Sequence, residues 1–394
     1  MAFFCGQQGR AAESFFSSAF FCCHIKSTNI ALLKIGLLNR FQDVNSMEIR
    51  ITTTGRLHLG FMDLSGSLGR LYGSIGVSLS TPQTTISVKT QEHLSIQHRD
   101  KNKRRKIRSL VEAFSRHFQI EPNVAIRVHQ SIPEHKGLGS GTQLAMALAT
   151  ALTKAYGIKT GIHDLSVIMG RGMRSSIGIW SFEQGGFIID SGKTRQENGV
   201  LAASPPKAVF RYDFPEGWRF VVVIPEQKEG LSGEQEKDAM GLVNPPEKLS
   251  EEICRLVLMK LLPALIEKEI GEFGHALSEI DQKTGMFFVP VQGGIYSEKS
   301  SYKIIEHLLA SGAYGAGQSS WGPAVYGLTS KEESDSIAER MRIFLEKQEI
   351  KGRVIVASGS NKGAEVEVLD AEPANFGQDV LEKAFRHPQK LGLA

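Results

Sequence analysis

At 394 residues, with 41% apolar and 22% charged residues, the chain has the make-up of a soluble globular protein long enough for two ordinary domains. No run approaches the ~18 uninterrupted apolar residues of a membrane-crossing helix, and a net charge of +4 suits anionic small molecules without marking a nucleic-acid binder. The four cysteines, Cys5, Cys22, Cys23 and Cys254, have neither the regularity of a disulfide framework nor zinc spacing, which points to a reducing cytoplasm.

The run from Ala11 to Cys23 is short and apolar, carries Glu13 and lacks a small-residue cleavage site, so it makes a poor secretory signal. An alternating pattern begins only at Met47. Residues 1–46 are therefore expected to be an extension, poorly ordered or outside the native fold, with a targeting peptide as the alternative. Residues 47–60 and 73–90 alternate with period two and are rich in Thr, Val and Ile, which predicts two strands. A glycine-rich connection, Gly60 to Gly66 with Gly69 and Gly73, lies between them. The basic run from Arg99 to Arg108 leads into Ile107, Leu110, Val111, Phe114 and Phe118 at helical spacing. It reads as the solvated start of an amphipathic helix rather than a nucleic-acid patch.

A short strand at Val124–Val128 precedes the loop Pro133 to Thr142, which runs into a helix carrying Leu144, Leu148 and Leu152 and ended by Gly157. A second glycine cluster spans Gly170 to Gly178, and Gly185-Gly186 opens a strand closed by Asp190, read here as a turn residue. The polar, Pro-containing stretch 191–207 suggests a boundary separating domains 47–203 and 204–394. Beyond it come a strand at Phe220–Pro225, a helix at Leu249–Leu265 and a third glycine cluster at Gly312–Pro323. A strand at Ala324–Leu328, a helix carrying Ile337, Met341, Phe344 and Leu345, and a strand at Val354–Ala357 follow. Without regular βα alternation, the fold class expected is α+β rather than a doubly wound sheet.

The 40 glycines are an enrichment, and they are clustered. A helix N-terminus presents unpaired N–H groups and the positive end of the helix dipole, so a glycine loop leading into one admits a phosphate. Gly137, Gly139 and Gly141 remove side chains from that approach, Ser140 and Thr142 bring hydroxyls, and Lys136 brings charge. No Gly-Lys-Ser/Thr closes the loop, so it is not a Walker motif.

Pro133–Ala145 resembles the second motif of the GHMP kinases, Pro-x-x-x-Gly-Leu-Gly-Ser-Ser-x-Ala, with Gly141 in place of the second serine. Gly312–Gly322 resembles their C-terminal glycine motif, and Gly55–Gly60 stands where their first motif belongs. The resemblance implies a two-domain GHMP-kinase-like fold with the ligand cleft between domains. One departure bears on the chemistry. In many of these kinases Ser-Gly-Ile-Asp precedes Gly-Gly by a fixed gap, and its Asp is the catalytic base. Here Ser175-Ser176-Ile177 is followed by Gly178, with Gly185-Gly186 at the matching gap. Deprotonating an alcohol without that carboxylate loses rate at the decisive step, so an ATP-dependent small-molecule kinase is the second reading.

Six segments in combination resemble the β-ribofuranosylaminobenzene 5′-phosphate synthases over about residues 47–370. They are Gly55-Arg56-Leu57-His58, Leu138–Gln143, Arg171-Gly172-x-Arg174-Ser175, Gly230-Leu231-Ser232-Gly233, Gln292-Gly293-Gly294 and Gly317–Pro323. The implied reaction belongs to tetrahydromethanopterin biosynthesis. It condenses 5-phospho-α-D-ribose 1-diphosphate with 4-aminobenzoate or 4-hydroxybenzoate, and a C-riboside 5′-phosphate forms as CO2 and diphosphate leave.

Carried onto this chain, the resemblance implies that Gly137, Leu138, Gly139, Ser140, Gly141 and Thr142 cradle diphosphate, with Lys136 and Arg174 neutralising it. Asp63 and Glu134 would hold Mg²⁺, Arg171 or Arg56 would meet the benzoate carboxylate, and Gln318, Ser319 and Trp321 would border the ring. His58 is the acid/base candidate. Blander readings make Arg56 and Arg171 structural ion-pair partners, Trp321 a core residue and His58 a hydrogen-bonded bystander. Mg²⁺ as cofactor, a homodimer, and neither nucleic-acid nor membrane partners complete the expectation.

Overall fold

The computed structural model describes residues 47–196, 199–226, 239–240, 245–296 and 298–369. The extension 1–46 and the Gly230–Gly233 motif lie outside the described residues. The fold is α+β, with two sheets.

The first sheet is built on a long antiparallel hairpin, β1 (Glu48–Asp63) with β2 (Arg70–Thr90). The predicted glycine-rich connection is thereby shortened to residues 64–69. Strand pairing continues through Gly60 because bulges between Thr54 and Arg56 and between His58 and Gly60 absorb the irregularity that the glycine signalled. After β3 (Ser95–Gln97) comes α1 (Lys101–Phe118), capped by Asp100 and burying Ile107, Leu110, Val111 and Phe114 as its spacing predicts. Then follow β4 (Val124–Gln130), α2 (Ser140–Ala155), α3 (Ile162–Ile168), α4 (Ile177–Glu183), β5 (Phe187–Asp190), β6 (Lys193–Thr194) and β7 (Ala208–Tyr212). Leu144, Leu148 and Leu152 of α2 and Phe114 of α1 pack on Ile49, Ile51, Ile86 and Val88, so both helices cover one sheet face.

The second part comprises β8 (Trp218–Pro225), α5 (Glu247–Leu256), a π turn (Val257–Leu261), α6 (Leu262–Glu267), α7 (Ile270–Gln292) and α8 (Lys299–Ala310). It continues with β9 (Gly315–Gln318), β10 (Val325–Ser330), α9 (Ser334–Lys347), β11 (Gly352–Ser358) and β12 (Glu365–Leu369). Its antiparallel sheet runs β11-β8-β10-β9. Along β8 the alternation is complete. Val221 and Val223 meet Leu308 and Met341 on one face, while Phe220 and Val222 join the other face's core with Phe273, Leu277 and Leu57 of β1.

Three differences from the sequence reading have physical reasons. The first sheet runs β12-β1-β2-β4-β3, with β5 on β2 and β7 on β5, so β7 and β12, both beyond the expected 203/204 boundary, pair into it. The single helix expected over 249–265 is broken by the π turn, and Pro263 sits in the first turn of α6. The longest helix, α7, is absent from the sequence reading because Gly271, Gly274, Gly285 and Pro290 mask its apolar period. Gly274 is there for contact: a Cβ would collide with the Tyr314 carbonyl.

Candidate active site

The glycine loop ends in α2, whose N-cap is Gly139 at φ +81° with no side-chain cap. Nothing from the cap residue covers the first-turn amides of Ser140 and Gly141. Behind the loop, Gly137 is the joint of the site. Its carbonyl accepts from Arg56 Nη1 at 2.5 Å and from Ser319 Oγ at 2.7 Å. Ser319 Oγ in turn accepts from the His58 amide at 3.0 Å, and Arg56 N donates to Leu138 O at 3.1 Å. Three motifs distant in sequence, Arg56–His58, Gly137–Thr142 and Gln318–Trp321, thus share one hydrogen-bond chain.

Two guanidinium groups flank the loop. The Arg56 side chain passes 3.2 Å from where a Cβ on Gly139 would stand, and Arg171 Nη1 lies 3.6 Å from the equivalent point on Gly141. Burial lowers the Arg171 pKa, its Nε is buried without a hydrogen-bond partner, and no acidic residue pairs with it among the described residues. Arg174 is half-buried on the same loop. That loop is pinned by Asp190, which accepts from the amides of Ser74 at 3.0 Å, Ser176 at 2.8 Å and Gly192 at 3.0 Å. Asp190 is therefore a buried anchor rather than a simple turn residue, and burial pushes its carboxyl up despite those bonds. Lys136, next to the loop, donates from its Nζ to Glu226 O at 3.2 Å.

Gly178, where related kinases carry their base, opens α4 with its carbonyl accepting from Gln143 Nε2 at 2.7 Å. A Cβ there would stand 3.1 Å from Thr142 Cγ2, so an aspartate would crowd the glycine loop. The two carboxylates expected to hold Mg²⁺ are engaged separately. Glu134 bonds Lys106 at 3.2 Å and lies 3.8 Å from Lys103. Asp63 folds its own turn, accepting from Ser65 N at 2.7 Å, Ser65 Oγ at 2.7 Å and Gly66 N at 3.2 Å. Burial pushes the Asp63 carboxyl up, yet the hydrogen bonds outweigh it and hold the pKa below the ordinary value. No group of three or more His, Cys, Asp or Glu forms a metal site among the described residues.

Beside the loop, a small cavity opens between β1, α7 and the β9–β10 turn, with His58, Asp281, Thr284, Phe288, Gln318 and Trp321 in its wall. Trp321 and Phe288 meet at 4.6 Å between ring centroids, tilted by 57°. Asp281 was not singled out in the sequence. The available signal was an acid on the apolar face of a helix, directly after Ile280 and four residues after Leu277.

His58 is buried and its pKa is lowered to about 3, by burial and then by Arg56, so it is a neutral imidazole at pH 7 and no source of imidazolium. A depressed folded-state pKa gives stability that is present above the unfolded value of 6.5 and lost as pH falls towards 3. Relative to a His58→Gln variant, the wild type is expected to lose about 1.6 kcal/mol between pH 6.5 and 5. Urea titrations at both pH values measure this, and midpoints moving in parallel would show that His58 titrates normally.

The sequence matches the GHMP kinases N terminal domain over residues 105–179 and the GHMP kinases C terminal domain over 261–347. A beta-ribofuranosylphenol 5′-phosphate synthase of Methanothermobacter thermautotrophicus is 36% identical over 335 residues, 81% of this chain and 98% of that protein. The namesake of Archaeoglobus fulgidus is 32% identical, over 81% of this chain and 100% of its own length. Among solved structures, mevalonate diphosphate decarboxylase of Enterococcus faecalis superposes with a TM-score of 0.57 at 15% identity, covering 82% of this chain and 99% of that one. Homoserine kinase of Cytophaga hutchinsonii does so at 0.54 and 15%, covering 83% and 99%.

Proposed function

The chain belongs to the family of beta-ribofuranosylphenol 5′-phosphate synthases, pentosyltransferases on the GHMP kinase fold, and from that membership we propose that it condenses 5-phospho-α-D-ribose 1-diphosphate with 4-hydroxybenzoate or 4-aminobenzoate. The product is a C-riboside 5′-phosphate for tetrahydromethanopterin synthesis. The ring carbon bearing the carboxylate bonds to ribose C1, the C1–O bond breaks, and its electron pair leaves on diphosphate. The bond to the carboxylate then breaks, CO2 departs, and that pair restores aromaticity.

One observation carries the reading: Arg171, half-buried and without an acidic partner among the described residues, stands beside the uncapped N-terminus of α2. Preorganised positive charge of this kind stabilises a departing diphosphate without having to reorganise. Arg56 lies on the opposite side of the loop, where it can meet the benzoate carboxylate. Mg²⁺ would come bound to the diphosphate and neutralise part of its charge; Asp63 and Glu134 are each engaged by other groups. Ser140 and Thr142 supply the nearest hydroxyls on the loop. No helix among the described residues is long and apolar enough to cross a membrane; a homodimer in the cytoplasm is the proposed working form.

The test supplies purified protein, Mg²⁺, phosphoribosyl diphosphate and carboxyl-labelled 4-hydroxybenzoate or 4-aminobenzoate. Labelled CO2 that requires every component, and is lost in Arg174→Ala, is the expected result. No release, together with ATP-dependent phosphorylation of a small alcohol, would establish the kinase reading despite Gly178.

A further inference from the structure

The cavity beside the glycine loop contains more polar capacity than it uses. His58 Nε2, Thr284 Oγ1 and Gln318 Oε1 are buried there without a hydrogen-bond partner. Leaving such atoms unsatisfied costs roughly 1–3 kcal/mol each unless a ligand or water answers them. Asp281 lies in the same wall. Its Oδ1 accepts from Gln318 N at 2.9 Å and its Oδ2 from Tyr296 Oη at 2.7 Å, and each carboxylate oxygen keeps a further lone pair. Phe288 and Trp321 provide flat apolar walls, and no Lys or Arg is among the lining residues.

That absence of cations orients a guest. A carboxylate entering the cavity would be buried without a counter-charge, whereas Arg56 and Arg171 stand on the loop side. A benzoate therefore turns its charge towards the loop and sends the opposite end of the ring inward. We infer that this cavity, whose volume of about 40 Å³ admits the leading edge of a ring rather than all of it, is the part of the aryl subsite that receives the acceptor's 4-substituent, and that Asp281 accepts the hydrogen of that substituent; this rests on the function proposed above. Burial pushes the Asp281 carboxyl up to about 7 against the bonds from Tyr296 and Gln318, so its anionic, accepting form is populated near neutral pH. The consequence is chemical as well as steric. Accepting that hydrogen bond increases electron density at the ring carbon opposite the substituent, which is the carbon that must bond to ribose C1. Asp281 would thereby select acceptors carrying a 4-hydroxyl or 4-amino group over benzoate itself.

Equilibrium binding of 4-hydroxybenzoate and of benzoate to the full chain, wild type and Asp281→Asn, reads this directly, alongside the CO2-release assay. The wild type should prefer 4-hydroxybenzoate. Asp281→Asn should weaken that ligand by about tenfold or more, the size of a lost hydrogen bond to a charged group, while benzoate affinity and the KM for phosphoribosyl diphosphate stay unchanged. A merely structural role for Asp281 would weaken both aryl ligands alike. If Asp281→Asn does not fold, Thr284→Val keeps the shape and removes an unsatisfied hydroxyl; a loss of about fivefold for 4-hydroxybenzoate alone supports the subsite, and no change overturns it. CO2 release with unaltered 4-hydroxybenzoate binding in the variants sinks the subsite and leaves the proposed function standing. Selective binding that Asp281→Asn abolishes, in a protein that releases no CO2, keeps the subsite and sinks the function.

Discussion

Replacing Arg171 with methionine is expected to lower kcat/KM by about 10²–10³-fold and, at the same time, to leave the unliganded protein as stable or more stable. The two signs come from one geometry. The guanidinium is largely removed from water beside the glycine loop, its Nε lacks a partner, and no acidic residue balances its charge among the described residues. Holding an uncompensated charge there costs the free protein stability. The same charge is most effective when a diphosphate arrives, because little water is left to screen it. Methionine keeps most of the length and removes the charge. CO2 release and urea midpoints, measured on one preparation without ligand and with phosphoribosyl diphosphate, separate the possibilities. If activity and stability fall together, Arg171 is a structural residue and the anion reading of the loop fails.

Gly137→Ala is expected to destabilise the protein by about 3–5 kcal/mol and to remove activity with it. Gly137 sits at φ +78°, where a Cβ alone is unfavourable, and a Cβ would drive into the Ser319 carbonyl oxygen. The Ser319 backbone cannot retreat freely, because Ser319 N donates to Ala324 O at 2.9 Å and its hydroxyl already joins Gly137 and His58. Gly157→Ala provides the control. Gly157 also has positive φ, +63°, but nothing lies within 4 Å of its Cβ position, so that change should cost only the local strain of about 1–2 kcal/mol. The difference between the two variants isolates the contact joining the Gly137–Thr142 loop to the third glycine cluster. Equal losses would show that the contact is unimportant and that only backbone strain was felt.

Much of the local structure around the glycine loop was readable before the fold. Gly137, Gly139 and Gly141 were legible as a tight loop leading into a helix because a backbone that bends to positive φ, as it does at Gly137 and Gly139, leaves its mark in a few adjacent residues. The strand alternation in β1, β2 and β8 and the helical spacing in α1 and α2 were legible for the same reason, since each is a short-range periodicity. Gly178 also showed from sequence that the usual kinase base is missing. The structure adds that Thr142 leaves little room to restore it.

What the chain alone did not decide was who meets whom. Sequence could not show that Lys103 and Lys106 of α1 lie beside Glu134, or that the Lys136 Nζ reaches the Glu226 carbonyl. Asp281 was hidden in a helix whose glycines and proline disguise its period, and becomes significant only because β1 and the Gln318–Trp321 turn close a cavity over it. Sequence by itself determined the glycine loops, the α+β class, the missing base and the family resemblance, all of which reside in local backbone requirements and motif spacing. Tertiary structure decided which charges are compensated and which buried polar atoms stay unsatisfied, because the energy of a buried charge depends on neighbours that arrive from distant parts of the chain.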